Sequence, residues 1–504
     1  MKSMIRYMFA GTLALGLATS CTKQLDISPE GTPTTNNFWK SELDAISGAN
    51  AMYQPMDDEN FYGRGYWWFI NASDDMVTGR IKAEADNIKN FNRSFIGGSY
   101  TEGQWRMRYS VIKRANDVIN RVPAIDMNEA TKRRVIGEAY FMSGIMYFEL
   151  ATTYADDKAG VPIVRRDVPL DEKPIPRAAN IAANWDYIES ELKQASAYLP
   201  TFQQLAPADY GRPHKSAALG YLAKMYLYKK DWAKAEAYCD SLIGSGRHQL
   251  LDKFADVFTI ANNWSSEYIW SAYSTSKGQG GFGSILPGVM LENKGWGKYN
   301  GWGYYMPTKE LYDTYDPKDK RRAATILAPG DRFKFWGDSV TYNSLNSLSG
   351  YQFNKYMEPF TYADGVHASK NGDHPTTDLC LPLLRYAEIY LIKAEARLMQ
   401  GKNADAELNA LRKRTGLPNF TNATLADLKK ERRLELAGEW ANRHADLVRW
   451  GDAQAAYAKP LHGASGAEIW PARAFDPTRH HIWPVPQSEI DNSGGIIFQN
   501  AGWK

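Results

Sequence analysis

Glu431, Glu435, Glu439 and Arg443 fall four residues apart, and Asp446 precedes Arg449 by three. That spacing puts the side chains on one helical face. Glycoside hydrolysis needs two carboxylates about 5–9.5 Å apart across a cleft. Here basic residues interleave with the acids, and an ion-paired carboxylate is held ionised rather than tuned to donate a proton. The pattern therefore predicts structural ion pairing, worth about 0.3–0.5 kcal/mol per pair on an exposed face. No HExxH, GxSxG or phosphate-loop motif is present, so no enzyme class is indicated. His480-His481 resembles a metal pair, but adjacent residues do not readily present both rings to one ion. No metal and no cofactor is expected.

Aromatic rings are the larger chemical resource: the chain of 504 residues holds 16 Trp, 30 Tyr and 19 Phe. A sugar ring has an apolar C–H face and a hydroxyl edge. A rigid aromatic side chain covers the face at low entropy cost, and Asp, Asn, Arg or Gln satisfies the edge. In residues 295–305, Trp296, Tyr299, Asn300, Trp302, Tyr304 and Tyr305 alternate with glycines, which predicts rings carried on a loop. Trp296, Tyr299, Asn300, Trp302 and Tyr305 are the first candidate glycan contacts. In a second cluster Tyr66, Trp67, Trp68 and Phe69 are consecutive. Alternation between inside and outside would send half of them to the core, and Trp67 is kept as a candidate. Asp75, beside Asp74, reads as an acceptor for sugar hydroxyls or as a helix cap. Arg80 is a further polar candidate, and residues 92–104, with Phe95 and Tyr100, form a third wall.

These candidates belong to an exported chain. Lys2 and Arg6 precede an apolar run over residues 8–17, then Ala18, Thr19, Ser20 and Cys21. This is the pattern of a bacterial signal peptide over residues 1–20, too short to span a bilayer. A cysteine directly after the small residues predicts lipidation of Cys21, although Leu17 lies four residues before it rather than three; the alternative is ordinary secretion. The remaining cysteines, Cys239 and Cys380, sit in apolar surroundings and read as buried thiols, one bridge between them staying open. With 60 basic and 57 acidic residues, and no run of Lys and Arg, the chain lacks the electrostatic stripe that nucleic acid requires.

The elements that must position the rings are mostly helical. After a polar tether over residues 22–37, Ser41 and Asp44 mark a capped helix running to Pro55. Apolar periodicity predicts helices over 104–121, 128–154 and 181–199. Ala223, Tyr226, Ala235 and Cys239 are spaced 3, 9 and 4 residues apart, as in the packing seam of a tetratricopeptide hairpin. Ala394, Arg397, Ala406 and Ala410 repeat the spacing, with Arg397 misfitting an aromatic slot. Residues 246–378 between the hairpins are rich in Gly, Asn, Ser and rings, with a strand expected near 268–273. The fold class is mainly α: a tetratricopeptide-like helical-repeat scaffold with long irregular loops and minor β. Its parts are 38–245 and 246–504, the latter with the loop-rich insert 246–378 and helical 379–450, in one compact unit.

Several segments together resemble one family, the SusD/RagB outer-membrane lipoproteins. They are Cys21 with Leu25-Asp26 and Asn37-Phe38-Trp39; Trp105, Tyr109, Ile112, Ala115 and Asn116; and Leu384-Arg385-Tyr386-Ala387-Glu388. The Glu431 to Leu436 run with Asp446 to Gly451, then Ile482 to Pro486 and Gln499 to Trp503, complete the set. The resemblance implies four tetratricopeptide-like units and a non-catalytic, cell-surface role. Such a protein captures oligosaccharide or polysaccharide and passes it to a SusC-like TonB-dependent transporter, anchored in the outer membrane by lipid and facing the exterior. The residues after Cys21, Thr22-Lys23-Gln24, lack the acidic export cue, so outward display rests on the resemblance. The alternatives are a helical-repeat interaction scaffold, or uptake of a non-glycan nutrient such as peptide.

Overall fold

The computed structural model describes residues 38–58, 60–167, 173–275, 284–292, 301–361 and 376–504. Cys21, Trp296, Tyr299 and Asn300 lie outside the described residues.

Helix starts follow their caps. Helix α1 (Glu42–Ala51) opens on a reciprocal Ser41/Asp44 capping box. It stops before Pro55, which instead opens a 3-10 turn over Gln54–Asp57. Short helices α2 (Arg64–Ile70) and α3 (Ala83–Lys89) follow. Helix α4 (Ser99–Arg121) begins earlier than its apolar pattern, because the Glu84 carboxylate accepts from the Thr101 N–H at 2.8 Å and supplies a cap from outside the helix. Asn128 caps α5 (Glu129–Tyr154), and Asn180 caps α6 (Ile181–Tyr198). Helix α5 is buried around its whole circumference for most of its length, as a central helix between two neighbours must be.

The first tetratricopeptide hairpin forms as its spacing predicts, from α7 (Lys215–Tyr228) and α8 (Trp232–Ile243). Ala223, Tyr226, Ala235 and Cys239 are all buried in its seam. After α9 (Lys320–Thr325), a second hairpin forms from α10 (Tyr386–Met399) and α11 (Asp405–Arg412), but in a different register. Ala406 is exposed and Ala410 half-buried, and Ala404, Leu408 and Leu411 fill the seam instead. Arg397 misfits the aromatic slot because it makes a polar contact outside the seam. It donates to Glu236 of α8 at 2.8 Å, tying the two hairpins together. Helices α4 to α8 each pack on the next, and α8 packs on α10. Helices α12 (Leu425–Leu436) and α13 (Arg443–Trp450) follow, and short helices over Ala453–Tyr457 and Gln487–Asn492 lie in the tail. Cys239 and Cys380 are buried free thiols. Among the described residues no helix is long and apolar enough to cross a membrane.

Strands are short and antiparallel. Strand β1 (Met76–Val77) pairs with β3 (Met306–Pro307), and β2 (Tyr268–Ala272) pairs with β4 (Leu381–Arg385). The tail folds back on the N-terminal part, where Trp483 lies 5.2 Å from Phe69 and 5.8 Å from Phe95 between ring centroids.

The Glu431 to Arg443 series does not share a helical face. Helix α12 ends at Leu436, Gly438 turns the chain with φ +73°, and Arg443 opens α13. The acids are buried and pair across the chain. Arg385 reaches Glu267 at 2.9 Å, Glu435 at 2.8 Å and Glu439 at 2.6 Å. Arg414 bridges Glu267 and Glu435, each at 2.6 Å. Arg321 reaches Glu431 at 2.6 Å and Glu435 at 2.9 Å. Burial alone would raise the Glu435 pKa, but Arg414, Arg385 and Arg321 hold it well below the usual carboxylate range.

Neutralising a member of such a cluster leaves a buried charge uncompensated, at a cost of about 3–5 kcal/mol. Glu435→Gln is expected to lose about that much in urea unfolding at pH 7. A depressed carboxylate stabilises the fold fully above its unfolded pKa, near 4.5, and less as pH falls towards the folded value. The gap in melting temperature between wild type and Glu435→Gln should therefore be constant above about pH 5 and shrink below 4.5. A gap that widened with acid would contradict the assignment.

Candidate functional site

The four rings Tyr66 to Phe69 lie on α2 rather than on a strand, so successive side chains point about 100° apart. Gly63 precedes the helix, and Arg64 is its first residue. Arg64 and Trp68, one turn apart, face one side. The Arg64 guanidinium stands 5.2 Å from the Tyr100 ring, 5.3 Å from Trp302 and 5.1 Å from Tyr304. It also donates to the Tyr304 hydroxyl at 2.7 Å. Two more cations close on Tyr304 from outside, Arg80 at 5.2 Å and Lys82 at 5.4 Å. Arg80 is exposed, Lys82 and Trp302 are half-buried, and Ile81 between the two cations is 92% exposed. The outcome is a face that combines a half-buried Trp ring with three cationic side chains gathered on Tyr304, beside a stretch of chain that exposes Ile81.

Two backbone features hold this face. The β1–β3 pairing runs on into a bond from the Gly79 N–H to the Tyr304 carbonyl at 3.2 Å. The Trp302 N–H donates to Gly288 at 2.7 Å and the Tyr304 N–H to Val289 at 2.9 Å. The chains approach so closely that a Cβ on Gly301 would collide with Leu291, and one on Gly79 with the Gly303 carbonyl. Below the loop, the Tyr342 hydroxyl donates to Glu292, whose carboxyl burial pushes up to about 7.

Several expected contacts are placed elsewhere. Trp67 is 0% exposed and packs against Tyr305, Phe353, Tyr356 and Trp440. Tyr305 is also 0% exposed, its hydroxyl donating to the Arg64 carbonyl. Both are core residues and not surface contacts, because the helix turns Trp67 inward while Tyr305 fills the space beneath. Asp75 is neither a sugar acceptor nor a cap. It is buried and accepts from Arg433 Nε at 2.6 Å, while Asp74 accepts from Arg443 Nε at 3.0 Å. Burial opposes ionisation of Asp74, but Arg433 and Arg443 outweigh it and hold the group well below the usual carboxylate range. Tyr100 keeps 9% exposure, with its ring 3.8 Å from Trp68, so it backs the face rather than forming it. Phe95 is buried against Trp483 and Trp503 and does not form a wall. Of the nine candidate contacts, Trp302 and Arg80 reach the face together, joined by a 3.4 Å bond from Arg80 to the Trp302 carbonyl.

Arg64 and Lys82 escaped the sequence reading. A helical rather than alternating reading of residues 64–70 puts Arg64 on the same side as Trp68 and would have found it. Nothing local marks Lys82. His480 accepts from the Asp476 N–H at 3.0 Å, and His481 lies 3.3 Å from Asp156, so the two rings are held by different partners.

Comparison with known proteins then decides the family. Residues 266–503 match the profile of the SusD family, and residues 23–227 match that described as "Starch-binding associating with outer membrane". The chain belongs to the SusD family. SusD-like protein P2 of Formosa agariphila is 24% identical over 532 residues, covering 99% of this chain and 100% of that protein. The crystal structure of a SusD-like protein from Bacteroides fragilis superposes with a TM-score of 0.79 at 24% identity, over 93% of this chain and 98% of that one. A structure described as a laminarin binding SusD-like protein gives 0.74 at 26% identity, over 92% and 100%. The mainly helical, tetratricopeptide-like architecture is that of this family.

Proposed function

We propose that the chain is a non-catalytic, cell-surface glycan-binding lipoprotein that captures oligosaccharide and delivers it to a TonB-dependent outer-membrane transporter. The observation that carries this reading is the Trp302 face. A half-buried indole offers apolar surface to C–H groups, and Arg64, Arg80 and Lys82 offer donors to hydroxyls. Trp296, Tyr299 and Asn300, on the adjoining segment, extend the same composition. Membership in a family whose solved member binds laminarin supports a glycan as cargo. The absence of catalysis is supported by the Glu431, Glu435 and Glu439 carboxylates, each committed to buried cations. In this reading residues 1–20 are removed, Cys21 carries the lipid, 22–37 is the tether, and 38–245 with 246–504 form one unit facing the exterior.

Laminarin and starch, titrated calorimetrically into the mature protein, test the site. Trp302→Ala is expected to weaken binding about 30-fold, equivalent to ~2 kcal/mol for a central aromatic contact. Unchanged affinity, with wild type binding, would remove the site from this face. Cys21→Ser is expected to move the protein from the membrane to the soluble fraction, since stable anchoring needs the lipid chains. Retention of that variant in the membrane would contradict lipid anchoring.

A further inference from the structure

A cleft of about 560 Å3 lies behind the Trp302 face, between α4 to α7 and α13 with the C-terminal tail. That volume falls in the ~300–1,000 Å3 range of small-molecule sites. The cleft and the Trp302 face share no residue, since Arg64, Arg80, Lys82, Tyr100, Trp302 and Tyr304 are all outside its lining. Helix α2 turns Arg64 and Trp68 to the face and Tyr66 and Phe69 to the cleft; α4 passes both along one side, with Tyr100 by the face and Gln104 and Arg108, one and two turns on, lining the cleft.

The lining combines ring faces with polar groups that cannot be left dry. Arg108 and Glu149 form a 2.9 Å pair at its floor, and the Tyr62 hydroxyl donates to the same carboxylate at 2.6 Å. Lys224 reaches Glu388 at 3.2 Å. Tyr221 and Tyr228 line the wall, and among the described residues no group hydrogen-bonds either hydroxyl. An apolar ligand would desolvate these groups without replacing their bonds, at about 1–3 kcal/mol each. A ligand with alternating C–H faces and hydroxyls meets both requirements, as rings stack on rings and hydroxyls pair with the tyrosines and charges.

We propose that this cleft is a second carbohydrate site, sized for one or two pyranose units and independent of the Trp302 face. The volume holds one or two units inside the cleft, a size that matches short products. Its mouth is formed by exposed Ala182, Asp157 and Lys230.

Maltose, cellobiose and laminaribiose, titrated by calorimetry and ligand-observed NMR into the mature Trp302→Ala protein, test it with the first face disabled. At least one disaccharide is expected to bind saturably. Ala445→Trp, which fills the cleft from α13, should abolish that signal. Ala182→Trp, at an exposed position, should do the same where the first variant fails to fold. The Tyr221→Phe/Tyr228→Phe double variant should weaken binding about tenfold. Absence of saturable binding by all three disaccharides, or binding that survives both tryptophan plugs, overturns the proposal. Because the test begins from Trp302→Ala, its failure leaves the laminarin and starch titrations to stand or fall separately.

Discussion

Four charged residues within five successive positions of α12 hold the molecule in register. Glu431 and Glu435 reach Arg321, Arg385 and Arg414 in and beside the insert. Arg432 turns the other way, to Asp446 at 2.7 Å and Glu388 at 3.0 Å, and so binds α13 and the second hairpin. Arg433 points a third way and holds Asp75 in the turn before β1. A helix distributes consecutive side chains around its axis, and here each direction meets a different part of the chain. Every one of these charges is costly to bury and tolerable only while its partners stay in place. Any displacement of one part therefore exposes the others to an unpaired charge.

This arrangement separates two kinds of cohesion. The hairpins of α7–α8 and α10–α11 are held by small residues and rings packed along a seam, which is local and tolerant of sequence. The insert contributes few long elements, and its described ladders are two strands wide. What fixes it is the ionic contact with α12, plus the close backbone approach at Gly79 and Gly301. A loop held in this way can vary its exposed residues while its roots stay fixed, which suits a recognition surface on a repeat scaffold.

Local patterns were legible where the physics is local. Periodicity and caps located α1, α4, α5 and α6, and the spacing of Ala223, Tyr226, Ala235 and Cys239 located a packing seam. The same spacing misled at Ala406 and Ala410, because α11 starts at Asp405, and Ala404, Leu408 and Leu411 bury better than two alanines. The site was harder to read. A run of rings states that a core or a platform exists, but the azimuth of each ring decides which. Trp67 and Tyr305 went to the core, Trp302 to the face, and no residue count separates them. Asp74-Asp75 looked like surface chemistry because its partners, Arg433 and Arg443, lie more than 350 residues away. Pairing at that separation leaves no local trace.

Through Arg433 and Asp75, α12 sets the position of the Trp302 face, so cutting that link should loosen the face and leave the hairpins intact. Hydrogen exchange in Arg433→Leu, compared with wild type at neutral pH, tests this most directly. Faster exchange confined to residues 71–82 and 301–308, with α7 and α8 unchanged, is the predicted result. Exchange that stays at wild-type rates across 71–82 and 301–308 would contradict it.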